Sequence, residues 1–378
     1  MSLIAKLAIL PGLSALILSF ISTPLAIKTA KKLRLIDDPK THKHPKVIHK
    51  YPVPRGGIIS IFIGVFASTL LFLPFDRHIS GILAGAFILT VLGLFDDKFD
   101  LNPHFRLFIM FLAAAFPIAS GIGVPFIKIP YIADAVSASS LLNNFIYADP
   151  TRDIIELSHP QIAVSIFGSV HNILILADIF AFIWIVYLMN ILNMGAKGID
   201  GQLPGVVVIA AITIAALSLK YSADITQWPI IILASITAGT YLGFLPWNFY
   251  PQKIMPGFGG STLAGYLLAI LSILSTAKVG TLLVVLGIPL MDSGYAVVRR
   301  VASGKSPVWG DRKHLHHKLL DLGLNKRQVA ILYWVTTAFL GILALNLKSD
   351  YKLYTIVGVA ILVGGIMLWI TYRPIKKL

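Results

Sequence analysis

Long apolar runs alternate along the chain with short polar connections marked by glycine and proline. A hydrocarbon layer about 30 Å thick needs roughly 20 mostly apolar residues per α-helix. Runs of that kind fall near 4–26, 57–74, 79–95, 105–122, 173–193, 204–220, 228–247, 262–276, 279–298, 328–346 and 354–372. The pattern predicts an all-α polytopic membrane protein of ten or eleven spans, the count depending on how 263–298 divides, with residues 1–378 forming a single domain. The first run is too long for the apolar core of a signal peptide and has no small-residue cleavage site, so it is read as a retained helix. Between the fourth and fifth runs, GIGVPFIKIPY has short β-like stretches and NNFIYADPTRDIIELSHPQ is polar, which predicts a small outer hairpin plus an amphipathic piece within 123–172.

Composition agrees with this pattern: 56% of residues are hydrophobic and 13% charged, where soluble domains carry about 25% charged residues. A water-soluble enzyme, a disordered chain and an ordinary nucleic-acid-binding domain are excluded. With no cysteine, disulfides, thiolate metal sites and cysteine nucleophiles are excluded as well. The formal net charge is +15, from 32 Lys+Arg against 17 Asp+Glu. With eleven spans, 24 of those 32 cations fall in the loops after odd-numbered spans and in the C-terminal tail. Cytoplasmic loops collect Lys and Arg, so the N-terminus is expected outside, with the C-terminus and these five loops in the cytoplasm. The expected location is the plasma membrane.

The same five loops hold most of the chemistry-bearing residues. After the third span, GLFDDKFDLNP places Asp96, Asp97 and Asp100 at helical spacings of three and four if the helix continues. Carboxylates so placed repel one another, one staying protonated, unless a hard cation such as Mg²⁺ joins them; the plain alternative is a solvated helix end with Lys98 as counter-charge. After the fifth span, YLMNILNMGAKGIDGQLPG sets Asn190 and Asn193 one helical turn apart, with glycines around Asp200. Such glycines let backbone N–H groups approach a ligand, or simply make a turn. After the seventh, WNFYPQKIMPGFGGSTLAG offers Lys253 and Ser261 to a phosphate just before a helix N-terminus.

After the ninth span, Arg299, Arg300, Lys305, Arg312 and Lys313 precede His314, His316 and His317. Arginine gives bidentate phosphate contacts and histidine exchanges protons near neutral pH, which suits a pyrophosphate or sugar phosphate. Three histidines also suit zinc, and a basic loop suits anionic lipid headgroups. The first loop adds Asp37, Asp38, Lys46, His49 and Arg55 among prolines, beyond what a topology anchor requires. Five such loops on one face describe a site that handles phosphates.

The loops resemble those of the polyprenyl-phosphate N-acetylhexosamine-1-phosphate transferases, the glycosyltransferase family 4 group that includes undecaprenyl-phosphate N-acetylglucosaminyl-1-phosphate transferases and phospho-N-acetylmuramoyl-pentapeptide translocases. The resemblance runs in order from about residue 37 to 323. His49, Pro52, Pro54, Arg55, Gly56 and Gly57 are similar to the family's first motif, and Asp96, Asp97 and Asp100 to its Asp-Asp-x-x-Asp. Asn190 and Asn193 match Asn-x-x-Asn, Gly198–Gly201 match Gly-x-Asp-Gly, Asn248 and Pro251 match Asn-x-x-Pro, and His314, His316 and His317 match His-x-His-His. The form DRKHLHH looks more like the N-acetylglucosaminyl branch.

Two departures stand out. Where the family's Gly-Asp-x-Gly-Ser turn supplies a Mg²⁺-binding aspartate, this chain has Gly257, Phe258, Gly259, Gly260 and Ser261; where the family has an aspartate before Gly-x-Asp-Gly, it has Lys197.

The resemblance implies transfer of an N-acetylhexosamine 1-phosphate, most simply N-acetylglucosamine 1-phosphate, from a UDP-amino sugar to a polyprenyl phosphate, with release of UMP. It implies Mg²⁺, or Mn²⁺ in its place, and a homodimer. By the same resemblance Asp96 accepts a proton from the lipid phosphate or orients it, with Asp100 beside it. Asp97 binds the metal with help from Asn193, and Asp200 holds the nucleotide. Arg300, His314, His316 and His317 hold the diphosphate, while His49, Arg55, Asn190, Asn248 and Ser261 complete the substrate site; Lys197, where the chain departs from the family, joins them as a cation that neutralises pyrophosphate in partial replacement of the metal's charge. The competing expectations are a transporter of an anionic solute, which would carry its polar residues along the spans, and a non-catalytic relative that binds or scaffolds lipid-linked sugars.

Overall fold

The computed structural model describes residues 2–40, 49–128, 132–139, 146–166, 169–275, 278–304, 306 and 314–372. Lys46, Lys305, Arg312 and Lys313 lie outside them.

Each apolar run is helical. The helices are α1 (Leu10–Lys32), α2 (Ile58–Phe72), α3 (Arg77–Phe99), α4 (Pro103–Ala119), the short α5 (Ile132–Ala138), α6 (Ile175–Gly195), α7 (Gln202–Lys220), α8 (Trp228–Asn248), α9 (Gly257–Leu274), α10 (Lys278–Val285), α11 (Gly287–Ala302), α12 (Leu315–Asp321), α13 (Lys326–Asn346) and α14 (Ser349–Tyr372). Their starts carry the expected caps: Asp76 accepts the Ile79 N–H before α3, Asn102 the His104 N–H before α4, and Asn325 closes a capping box with Gln328 before α13. Among the described residues, eight helices are long and apolar enough to cross a membrane, and the chain is a multi-pass membrane protein. The 15 residues of α2 and 17 of α4 extend only about 22 and 26 Å at 1.5 Å per residue.

The ninth run departs from a single straight span, because α10 and α11 meet at 83°. Pro289 explains the break: it has no N–H to donate, and its ring clashes with the carbonyl four residues back, that of Val285, where α10 ends.

The segment between α4 and α6 is richer than one hairpin. It contains a three-stranded antiparallel sheet in the order β3 (Phe126–Lys128), β5 (Ile154–Glu156), β4 (Tyr147–Asp149), and the hairpin β6 (Gln161–Ile166) with β7 (Ser169–Leu174), paired Gln161 to Leu174. A two-stranded ladder, β1 (Ile36–Asp37) with β2 (Val53–Pro54), also forms in the first loop.

At the centre lies α9, 94% of whose apolar window is buried, whereas only 11% of that of α14 is. A helix apolar all round belongs in the core, and α9 packs against α3, α6, α7 and α8. The crossing of α3 and α9 is close because both present glycine: a Cβ on Gly93 would stand 2.5 Å from the Gly259 Cα. That approach brings the last turn of α3 onto the first turn of α9.

Candidate active site

α3 ends at Phe99, with Asp100 in the left-handed region (φ +48°). The three aspartates therefore do not share one continuous helical face: Asp96 and Asp97 are buried, while the Asp100 side chain is 80% exposed. Arg106, from α4, ties the outer two together, with Nε on Asp96 Oδ1 and Nη2 2.6 Å from Asp100 Oδ1.

Asp97 is docked on the N-terminus of α9. Its Oδ1 accepts the Phe258 N–H at 3.3 Å, one of the first helical N–H groups, which have no partner within the helix and carry the positive end of its dipole. Gly257 (φ +71°) makes room: a Cβ there would sit 2.1 Å from Asp97 Oδ2. Among the described residues, Oδ2 itself is buried with no hydrogen-bond partner. The ring of Phe258 lies 5.3 Å below the Arg106 guanidinium.

Asn193, at the end of α6, is the next link. Its Oδ1 accepts from Ser261 Oγ at 2.8 Å and from Lys197 Nζ at 3.2 Å. The Ser261 hydroxyl is also within reach of the carbonyls of Phe258 (2.9 Å) and Gly257 (3.2 Å). Burial brings the Lys197 ammonium down to about 8, against the upward pull of Asp97 and Asp96. Asn190 does not join: its Nδ2 donates back to the Val186 carbonyl at 2.8 Å and faces Met110 Sδ at 4.0 Å.

The glycine loop from 195 to 201 is fastened on both sides. The Gly201 N–H donates to Asn248 Oδ1 at 3.0 Å, and Asn248 Nδ2 donates to the Ile254 carbonyl at 2.9 Å and Gln252 Oε1 at 3.3 Å. Asn248 thus clasps the two loops together. Asp200 is 3% exposed and meets Lys326 Nζ at 3.3 Å, a partner the sequence did not suggest. Lys253 lies over the Trp247 ring, 5.1 Å from its centroid.

On the far side of this loop sit the histidines, all buried. A Cβ on Gly198 would fall 1.9 Å from His316 Nε2. The rings of His314 and His316 are parallel at 5.6 Å, and His316 and His317 lie 4.3 Å apart. Asp292 of α11, fully buried, holds His314 Nδ1 at 3.1 Å and accepts the Leu315 N–H at 2.8 Å. Arg300, on the same helix, is 3% exposed.

The first loop closes the other flank. Arg55 Nη2 pairs with Asp37 Oδ2 at 2.7 Å, and His49 Nε2 lies 3.3 Å from the Asp37 carbonyl. The Met255 N–H donates to the Pro54 carbonyl at 2.9 Å and the Gly57 N–H to the Met255 carbonyl at 3.0 Å, which fixes this loop to the start of α9. Named contacts therefore run from Asp37 through Asp97 and Lys197 to Asp292, and all five loops meet in one polar cluster.

Mg²⁺ fits this cluster in a restricted way. Among the described residues no group of three or more His, Asp or Glu side chains could hold a metal ion, and Phe258 offers no ligand atom. Among the same residues Asp97 Oδ2 is nonetheless a buried carboxylate oxygen without a hydrogen-bond partner, the kind of hard donor that binds Mg²⁺ together with substrate phosphates. Asn193 Oδ1 is already shared between two donors and is the weaker candidate.

Comparison with known proteins gives the chain a family setting. Residues 79–276 match glycosyl transferase family 4. The chain is 29% identical to a probable undecaprenyl-phosphate N-acetylglucosaminyl 1-phosphate transferase of Bacillus subtilis, over 89% of this chain and 83% of that protein. It is 26% identical to a decaprenyl-phosphate N-acetylglucosaminephosphotransferase of Mycobacterium leprae, over 90% and 83%. It is 28% identical to an undecaprenyl-phosphate alpha-N-acetylglucosaminyl 1-phosphate transferase of Escherichia coli K12, over 86% and 80%.

Proposed function

The chain belongs to glycosyl transferase family 4, and from that premise we propose that it transfers N-acetylglucosamine 1-phosphate from UDP-N-acetylglucosamine to undecaprenyl or a similar polyprenyl phosphate. An oxygen of the lipid phosphate bonds to the β-phosphorus, the bond from that phosphorus to the bridging oxygen of the α-phosphate breaks, and UMP leaves. The product is a polyprenyl-diphospho-sugar for cell-envelope glycan synthesis. The observation that carries this reading is the seating of Asp97 on the first turn of α9, with Asp96 beside it and Lys197 and Asn193 across from it.

Phosphoryl transfer asks a protein chiefly for positioning and charge neutralisation. Asp96, steadied by Arg106, orients the lipid phosphate and takes its proton when it carries one. Asp97, with Asn193 as a lesser ligand, would hold Mg²⁺, or Mn²⁺ in its place, which supplies neutralisation of the diphosphate when bound. Lys197 adds a second positive charge on the same side. Arg300, His314, His316 and His317 hold the diphosphate from the opposite side of the glycine loop, and Asp200, steadied by Lys326, holds the nucleoside. Arg55, His49, Ser261 and Asn248 act mainly by fixing the loops that carry these groups.

In this reading the whole chain works as one unit in the plasma membrane, with its N-terminus outside and the cluster and C-terminus in the cytoplasm, as the 24 loop and tail cations favour. A homodimer is proposed on the family resemblance. The test is UMP release by purified protein given UDP-N-acetylglucosamine, undecaprenyl phosphate and Mg²⁺. UMP formed only when the lipid is present supports the proposal, and folded protein that releases none with this donor counts against it.

A further inference from the structure

Asp292 is a single acid inside an otherwise apolar stretch of α11, with no exposed surface. Burying a carboxylate is costly unless its oxygens are satisfied, and both are: Oδ2 by His314 Nδ1 at 3.1 Å and Oδ1 by the Leu315 N–H at 2.8 Å. A carboxylate facing one ring nitrogen fixes the tautomer that carries its proton there and leaves the other nitrogen for a ligand. Here the carboxylate accepts from Nδ1 and favours a ring that carries a proton on each nitrogen, which lets Nε2–H donate to a phosphate oxygen. The Leu315 N–H is the first of α12, the helix that carries His316 and His317, and His316 abuts Gly198 of the loop leading to Asp200. One carboxylate thereby sets both the orientation of the His314 ring and the placement of the two histidines that follow.

We propose that Asp292 is a positioning residue of the diphosphate site, acting through His314 to present Nε2 to the β-phosphate of a nucleoside diphosphate. The inference rests on the transferase reading for the identity of that ligand. Asp292→Asn separates positioning from support, because its Oδ1 still accepts the Leu315 N–H while its neutral amide, opposite Nδ1, no longer favours a ring protonated on both nitrogens.

The experiment is calorimetric titration of the full-length protein in detergent with UDP and, as a one-phosphate control, UMP. Asp292→Asn and His314→Gln are each expected to weaken UDP binding about 10- to 100-fold, the scale of one lost hydrogen bond to a charged group, and UMP binding by less than about threefold. The double variant is expected to bind UDP no more weakly than the worse single one, and Asp292→Glu to recover part of the lost affinity. Wild-type UDP affinity in Asp292→Asn, losses that multiply in the double variant, or equal losses for UDP and UMP would each overturn the proposal. So would unfolding of both Asp292→Asn and Asp292→Glu where the wild type stands, since that assigns Asp292 to the fold alone. The expected UDP pattern without any sugar-phosphate transfer would sink the transferase reading and leave this inference standing, whereas no UDP binding by the wild type would overturn both.

Discussion

Gly257 is the position at which the fold and the chemistry can be tested together. Its φ of +71° lies in the left-handed region, and an added Cβ would stand 2.1 Å from Asp97 Oδ2 and 2.8 Å from Asp97 Cγ. Ordinary contact begins near 3.4 Å, so the carboxylate must retreat by about 1.3 Å if the backbone holds. Left-handed backbone costs an L-residue about 1–2 kcal/mol. A misplacement of about 1 Å at a reacting group can cost about 100-fold in rate. Gly257→Ala is therefore expected to lower kcat for UMP release about 100-fold while reducing stability by about 1–2 kcal/mol, read by thermal unfolding in detergent. The control is Gly294→Ala, where a Cβ meets nothing within 4 Å and activity should stay at the wild-type level. If Gly257→Ala kept full kcat, Asp97 would have no part in the chemistry as placed here.

Three further outcomes are expected. Asn248→Ala leaves the buried Gly201 N–H and Ile254 carbonyl without their partner, at about 1–3 kcal/mol for each buried group, so it should lower the unfolding temperature even without substrate; an unchanged temperature would dismiss the clasp. Phe258→Asp places a carboxylate next to Asp97 and under Arg106 and should lower the Mg²⁺ concentration needed for half-maximal activity, which a metal titration reads directly; no change would separate position 258 from metal binding in this chain. Lys197, brought down to about 8 by burial, loses its charge as pH rises through that value, so the KM for UDP-N-acetylglucosamine should be steady below pH 8 and climb above it. In Lys197→Arg the climb should be absent up to pH 9, and a climb unaltered by that substitution would assign it to another group.

Much of the fold could be read from the sequence, because a membrane helix must bury its backbone polarity internally and so announces itself as an apolar run. The break at Leu286 could not be read from hydropathy, since α10 and α11 remain apolar across it; Pro289 carried the signal. The candidate site was legible as residue types in loops but not as contacts. Asp97 and Phe258 meet across 161 positions of chain, at the glycine-on-glycine crossing of α3 and α9. The one-turn spacing of Asn190 and Asn193 suggested shared duty, yet Asn190 turns to Val186 and Met110. Asp292 sits within an apolar run rather than a polar loop, and an acid in such a run is itself a signal. Lys326 gave none, being one cation among many until the fold set it beside Asp200.

The most direct test of the central claim follows the β-phosphorus. Given UDP-N-acetylglucosamine labelled with ³²P at the β-phosphate, together with undecaprenyl phosphate and Mg²⁺, the protein should carry the label into the organic phase as a lipid diphospho-sugar and leave unlabelled UMP in the water. Label retained in water as UDP, with the sugar alone passing to the lipid, would contradict phosphosugar transfer at this site.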